Sequence, residues 1–190
     1  MPEVSFILQT FLGLLRFIVS LFLMRLILQV VRADFRNPVA QFIVRFTNPV
    51  VLPLRKILPP VGRTDTASVV AVLAAQCLIT LLGSLFSGSG WLPPMALIAT
   101  SVVQLALTTL GLYKIVIFIY VLMSWINTDH YNPASRLLRQ VCEPVLAPFR
   151  RAVPLIGGMD LSPLVTLFVL QLLEIIVSYR IEPLVQSLTL

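Results

Sequence analysis

Glu143-Pro-Val-Leu-Ala-Pro-Phe-Arg-Arg-Ala-Val-Pro-Leu-Ile-Gly-Gly-Met-Asp-Leu-Ser-Pro163 is the part of the chain densest in proline, glycine and basic residues, and it is written twice. The earlier copy is Asn48-Pro-Val-Val-Leu-Pro-Leu-Arg-Lys-Ile-Leu-Pro-Pro-Val-Gly-Arg-Thr-Asp65. Pro49 matches Pro144, Pro53 matches Pro148, Arg55 matches Arg150, Pro59 matches Pro154, Gly62 matches Gly157 and Asp65 matches Asp160. Every pair is offset by 95 residues without a gap, and 95 is half of the 190-residue chain. The sequence is one unit repeated: residues 1–95 and residues 96–190.

The surroundings of the repeated stretch are oily. Hydrophobic residues make up 58% of the chain and charged residues 12%, with a mean hydropathy of +0.96. Soluble domains have about half apolar and about a quarter charged residues. One small core cannot hide so much apolar surface, so the expected solvent is a membrane. The four spans expected are residues 6–31, 66–86, 95–126 and 161–179. The run from Phe6 is too long for a cleavable signal peptide and its N-terminal flank is not basic, so it reads as a retained span. Ser87 to Pro94 is an uncharged turn whose Trp91 suits a membrane–water boundary. Trp125 and Tyr120 mark the far end of the third span, and Arg180 to Leu190 read as a short tail.

The net charge of +6 lies in the polar stretches. Six of the 14 Lys and Arg residues lie in residues 32–66 and four in residues 127–160, while the 87–94 turn has none. The positive-inside rule then places both basic stretches in the cytoplasm and both termini outside. Nucleic-acid binding is set aside, because no basic stripe interleaves with exposed aromatics. An even number of crossings per repeat gives both repeats one orientation, related by a pseudo-twofold axis along the membrane normal. The fold expected is an all-α integral membrane protein, with four transmembrane helices as two tandem hairpins.

Short amphipathic cytoplasmic helices complete each repeat, over elements 34–65 and 129–160. Asn37-Pro38 reads as cap and first helical residue. Val39, Phe42, Ile43 and Phe46 then fall on one face, against Gln41 and Arg45. Asn132-Pro133 starts the second copy, with Ala134, Leu137, Leu138 and Val141 apolar in the same phase. Each helix is expected to last about two turns and to lie partly on lipid, partly on protein. Asn48-Pro49 and Glu143-Pro144 read as fresh helix starts, with Pro53 and Pro148 kinking the turn that follows. Pro59 and Pro154 end it, and Gly62 and Gly157 permit a special backbone angle. Asp65 and Asp160 are placed to cap the next span with their carboxylates. That leaves Arg55, Lys56, Arg150 and Arg151 as a basic head facing lipid or a partner.

Charges inside the spans are costly and are candidates for function. Counting about 1.5 Å per residue from the cytoplasmic ends puts Arg16 about 22 Å deep, Lys114 about 18 Å and Glu174 about 20 Å. At this level Glu174 could neutralise Arg16 or Lys114. The arrangement is an ion pair fixing helix packing, a polar site for a ligand, ion or partner, or charges emerging at the outer boundary. Arg25, about 9 Å in, is expected to snorkel to the headgroups. Gln76 and Gln171 match across the repeats and call for interhelical partners or substrate.

Enzyme chemistry finds no support. His130 is the single histidine, beside Asp129 in a loop, too few ligands for a metal. No Walker A, Gly-x-Ser-x-Gly or Cys-x-x-Cys occurs. Cys77 and Cys142 lack partner spacing and read as free thiols, one in a helix and one in a loop. No catalytic, cofactor or metal residue is assigned, and the expected cofactor set is none.

The doubled motif Asn-Pro…Pro-x-x-x-Pro-x-Arg-x-x-x-Pro-x-x-Gly-x-x-Asp, at 37–65 and 132–160, resembles the YggT family of small integral membrane proteins. The resemblance covers essentially the whole chain and is to the two-repeat form. It departs at Ser162-Pro163, where the first copy has Ala67-Ser68. The resemblance implies a bacterial inner-membrane protein. Relatives have been associated with osmotic tolerance and potassium homeostasis, with cell division and envelope organisation and, in plastids, with cytochrome b haem attachment. The leading expectation is a non-enzymatic scaffold or assembly factor whose partners are anionic headgroups and other membrane proteins, or itself as a homo-oligomer. The alternative is an oligomeric channel or transporter subunit affecting potassium or osmolyte balance.

Overall fold

The apolar runs form continuous helices. In the computed structural model, which describes residues 2–60, 65–88, 90–125, 132–153 and 160–187, α1 is Pro2–Val30, α2 Pro38–Ile57, α3 Thr66–Phe86, α4 Pro94–Trp125, α5 Pro133–Ala152 and α6 Ser162–Ile176. A π-helical turn, Val177–Ile181, leads into α7, Glu182–Ser187. Among the described residues there is no strand. Phe6–Val30, Thr66–Phe86, Pro94–Ser124 and Ser162–Ile181 are long and apolar enough to cross a membrane, with mean hydropathies of 1.9 to 2.3. Phe6, Phe11, Phe17, Phe118, Leu164 and Phe168 stand exposed on these helices. So much exposed apolar surface suits lipid and not water. The chain is a multi-pass membrane protein.

Two cores hold the helices together. Val19, Phe22 and Leu23 of α1 meet Val51 of α2 and Ala67, Ala71, Val72 and Ile79 of α3. Ile27 and Leu28 at the end of α1 meet Ala40 and Ile43 of α2, Val116 and Ile117 of α4, Leu137, Val141 and Leu146 of α5 and Leu170 of α6. Thus α1 packs on α3, α4 packs on α6, and α2 touches α5. Asn37 and Asn132 cap α2 and α5 as expected, each side chain accepting from the backbone N–H two residues on. Asn37 also donates to the Pro133 carbonyl, and the Asp34 N–H donates to Gln140 Oε1, so the two amphipathic helices are joined directly.

The interior prolines do not break the elements. Both α2 and α5 run for 20 residues straight through Pro49 and Pro53, and through Pro144 and Pro148. Asn48 and Glu143 are therefore mid-helix residues, not caps, and neither helix stops after two turns. The physical reason is placement. All four prolines lie on the exposed stripe, where the carbonyls they free stay within reach of water or headgroups. The opposite stripe, Ala40, Ile43, Thr47 and Val51, is buried and holds α2 in place.

Other differences are local. α3 begins right after Asp65, whereas α6 begins one residue later in repeat register, with Pro163 in its first turn. The expected tail is helical to Ser187. The widened π turn precedes Pro183, whose missing N–H is harmless in the first turn of α7. The matched apolar phase of the amphipathic helices also conceals a difference. Phe42 and Phe46 are exposed and stacked on each other, 6.5 Å between ring centres. Their counterparts Leu137 and Val141 are buried. Cys142, read as a loop thiol, is buried in α5, and its burial pushes the thiol pKa up to about 12. Pro154, Gly62, Gly157, Asp129 and His130 lie outside the described residues, as does the side chain of Trp125.

Candidate functional site

The polar ends of the two repeats carry the same clasp with different chemistry. In repeat 1, Arg55 reaches from the last turn of α2 to Asp65, with Nη2 at 2.5 Å and Nε at 3.1 Å from Oδ2. Ser68 and Gln29 donate to the same carboxylate at 2.6 and 3.2 Å. Asp65 thus stands at the N-cap position, but side chains occupy its oxygens and it caps no backbone N–H. Burial alone would raise its pKa. The bonds from Arg55, Ser68 and Gln29, with the charge of Arg55, outweigh burial and hold it at about 2. In repeat 2, Arg150 donates Nε to Asp160 at 2.9 Å, Nη1 to Glu143 at 2.6 Å and Nη2 to the Tyr120 hydroxyl at 3.0 Å. Asp160 also accepts the Ser162 N–H at 2.9 Å, the capping bond its twin lacks. Burial works against the Arg150 charge, but Tyr120, Asp160 and Glu143 prevail and raise its pKa.

Arg25 does not snorkel. It is 2% exposed and turns onto α2, where Nη1 donates to Thr47 Oγ1 at 2.7 Å, Asn48 Oδ1 at 2.9 Å and the Val44 carbonyl at 3.4 Å. It braces the turn that Pro49 deprives of a backbone bond. Tyr120 occupies the position of Arg25 in repeat 2, and Glu143 that of Asn48. Sequence reading missed two matched constellations, Arg25 with Asn48 in repeat 1 and Tyr120 with Glu143 around Arg150 in repeat 2. The 95-residue offset that exposed the prolines also aligns these positions, and was the available signal.

A cleft of about 860 Å³ opens beside the first clasp. Arg25, Arg32, Arg45 and Arg55 line it with Gln29 and Asp65. Of the expected basic head, Arg55 and Arg150 are engaged by carboxylates of the chain itself, while Lys56 and Arg151 are exposed.

Within the spans, Lys114 of α4 pairs with Glu174 of α6. Its Nζ also donates to Gln171 Oε1 at 2.9 Å. Arg16 is elsewhere, in a second cavity of about 680 Å³ with Gln76, Thr80, Gln104, Glu182 and Trp91. There Gln104 donates to Glu182 at 2.7 Å, and Ser101 donates to Thr80 at 3.2 Å. The two matched glutamines differ: Gln171 bonds across helices, and Gln76 reaches Thr80 on its own helix at 3.4 Å.

Comparison with known proteins agrees with this doubled architecture. The profile described as CCB3/YggT matches residues 1–86 and 99–181. An uncharacterized protein of Pseudomonas aeruginosa is 40% identical over 90% of this chain and 86% of its own length. A Vibrio alginolyticus protein, described only by its place in the proC 3' region, is 35% identical over 96% of this chain and 97% of its own. The uncharacterized protein YggT of Escherichia coli K12 is 30% identical over 92% of this chain and 88% of its own. No solved structure matches. With both halves matched and these relatives aligned along nearly its whole length, the chain belongs to the CCB3/YggT family.

Proposed function

We propose that this protein is a non-enzymatic scaffold or assembly factor of the bacterial inner membrane. Its repeats are two tandem hairpins, with α2 and α5 forming a platform at the cytoplasmic face and both termini outside. The observation that carries this reading is the joining of α2 to α5 through Asn37 and Asp34, with each helix tied to its own span by an arginine clasp. Such bonding commits the repeated polar groups to rigidity, and among the described residues Lys56 and Arg151 stand exposed at the platform ends without an ion-pair partner. A rigid doubled surface suits docking of another membrane protein, in keeping with roles in envelope organisation, cell division or osmotic tolerance. The test changes Lys56 and Arg151 to Gln in the full chain and measures recovery of crosslinked partners from membranes. Recovery equal to the unmodified chain refutes the platform as the docking surface.

A second reading, a subunit of an oligomeric channel or transporter acting on potassium or osmolytes, is favoured by the polar cavity around Arg16, Gln76, Gln104 and Glu182. Ion flux in proteoliposomes decides it: absent flux, or flux indifferent to Glu182→Gln and Arg16→Gln, removes this reading.

A further inference from the structure

We infer that the arginine-lined cleft of repeat 1 is a phosphate site, fitted to the headgroup of an anionic phospholipid. This goes beyond the platform reading and does not depend on which protein the platform meets. Four arginines line the cleft, and the single carboxylate among its lining residues, Asp65, is occupied by Arg55, Ser68 and Gln29. Among the described residues Arg25, Arg32 and Arg45 have no carboxylate within ion-pair distance.

Arg25 is the sharpest sign. A guanidinium this buried is costly unless an anion compensates it. Its three bonds all leave from Nη1 and all go to neutral acceptors, and its Nε is buried without an acceptor. A phosphate oxygen supplies both the missing charge and acceptors matched to a planar fork. Gln29 Oε1 is a second buried atom without a partner, an acceptor suited to a headgroup hydroxyl. Arg32 points the same way. It follows α1 at a positive φ of 54°, a backbone region that favours glycine. Glycine would close the helix more easily, yet an arginine lines the cleft there.

Repeat 2 is the internal contrast. Tyr120, Gln140 and Glu143 stand where repeat 1 has Arg25, Arg45 and Asn48. One arginine there faces two carboxylates, so the phosphate site is a property of repeat 1 alone. Its position at the polar ends of α1 and α3 is headgroup level, and Phe35 and Leu52 give the same cleft an apolar wall for the glycerol and upper acyl chains. These features favour a lipid over a free ion, and the volume falls within the range of about 300–1,000 Å³ usual for ligand sites.

The experiment is native mass spectrometry of the full-length protein in detergent, titrated with phosphatidylglycerol, with phosphatidylcholine and with inorganic phosphate. A single phosphatidylglycerol is expected to be held in preference to phosphatidylcholine. Arg45→Gln and Arg32→Gln should each weaken it about tenfold, the counterpart of one lost charge-assisted bond. Lys56→Gln and Arg151→Gln lie outside the cleft, where solvent screens their charge, and should change it by less than about twofold. If millimolar inorganic phosphate displaces the lipid, the site takes free phosphate as well; if it does not, the lipid is the ligand. Equal weakening by all four substitutions would mean diffuse surface attraction and overturn the site. So would the absence of any preference for phosphatidylglycerol. Arg32 and Arg45 sit at the surface, and a thermal melt of each variant without lipid separates lost binding from lost folding.

Discussion

Replacing Asp65 with Asn removes the charge, and one of the two acceptor oxygens, on which Arg55, Gln29 and Ser68 converge, and leaves the repeat 1 cleft with four arginines and no carboxylate. Its magnitude follows from the carboxylate's pKa. Asp65 is held at about 2 against an ordinary 3.8, which at about 1.4 kcal/mol per pH unit corresponds to about 2–3 kcal/mol. Arg55 is 43% exposed, and solvent screening trims this to about 1.5–2 kcal/mol. The sign is that of a depressed carboxylate. The stabilisation is fully present above 3.8 and is lost as pH falls through about 2. Unfolding of the purified chain by SDS titration, at neutral pH and at steps down to about pH 3, measures it. Asp65→Asn should lose about 1.5–2 kcal/mol at neutral pH, and the gap to the unmodified chain should narrow as acid protonates Asp65. Asp160→Asn should cost less, because Arg150 keeps Glu143 and Tyr120. A neutral-pH loss below about 0.5 kcal/mol, or a gap that does not change with pH, would refute the clasp as the source of stability.

Asn37→Ala should cost about 1–2 kcal/mol by the same titration, more than Asn132→Ala, since Asn37 both caps α2 and bonds Pro133 of α5; equal losses would deny the link between repeats. Glu174→Gln alone should destabilise by about 1–3 kcal/mol, and adding Lys114→Met should restore much of that loss, because an unpaired cation in a span is worse than none; a double-mutant cycle with no coupling would contradict the pair. Cys142, buried with its thiol raised to about 12, should resist maleimide at neutral pH in a Cys77→Ala background and react on SDS unfolding. Rapid labelling of the folded chain would show α5 less tightly packed than described.

Much of this molecule is legible from its letters. The 95-residue offset sets the doubling, hydropathy sets the four spans, and the Asn-Pro pairs set two helix starts, because these depend on local chemistry and on composition. Proline's effect was not local. Whether Pro49 and Pro144 start helices or ride within them depends on the face they occupy, and that face is set by which stripe is buried on neighbouring spans. Charges behaved likewise. Depth along a span placed Lys114, Glu174 and Arg16 at one level, but rotation about each helix axis chose Lys114 as the partner of Glu174 and sent Arg16 to another cavity. The repeated Pro/Arg stretch, 143–163 and its earlier copy, reads as a basic head in sequence. Tertiary contact turns Arg55 and Arg150 onto carboxylates ten residues later in the chain, leaving the charge differences at 25/120 and 48/143 to distinguish the two repeats. Sequence determines which groups each repeat holds; packing alone decides which of them are neutralised and which wait for an anion.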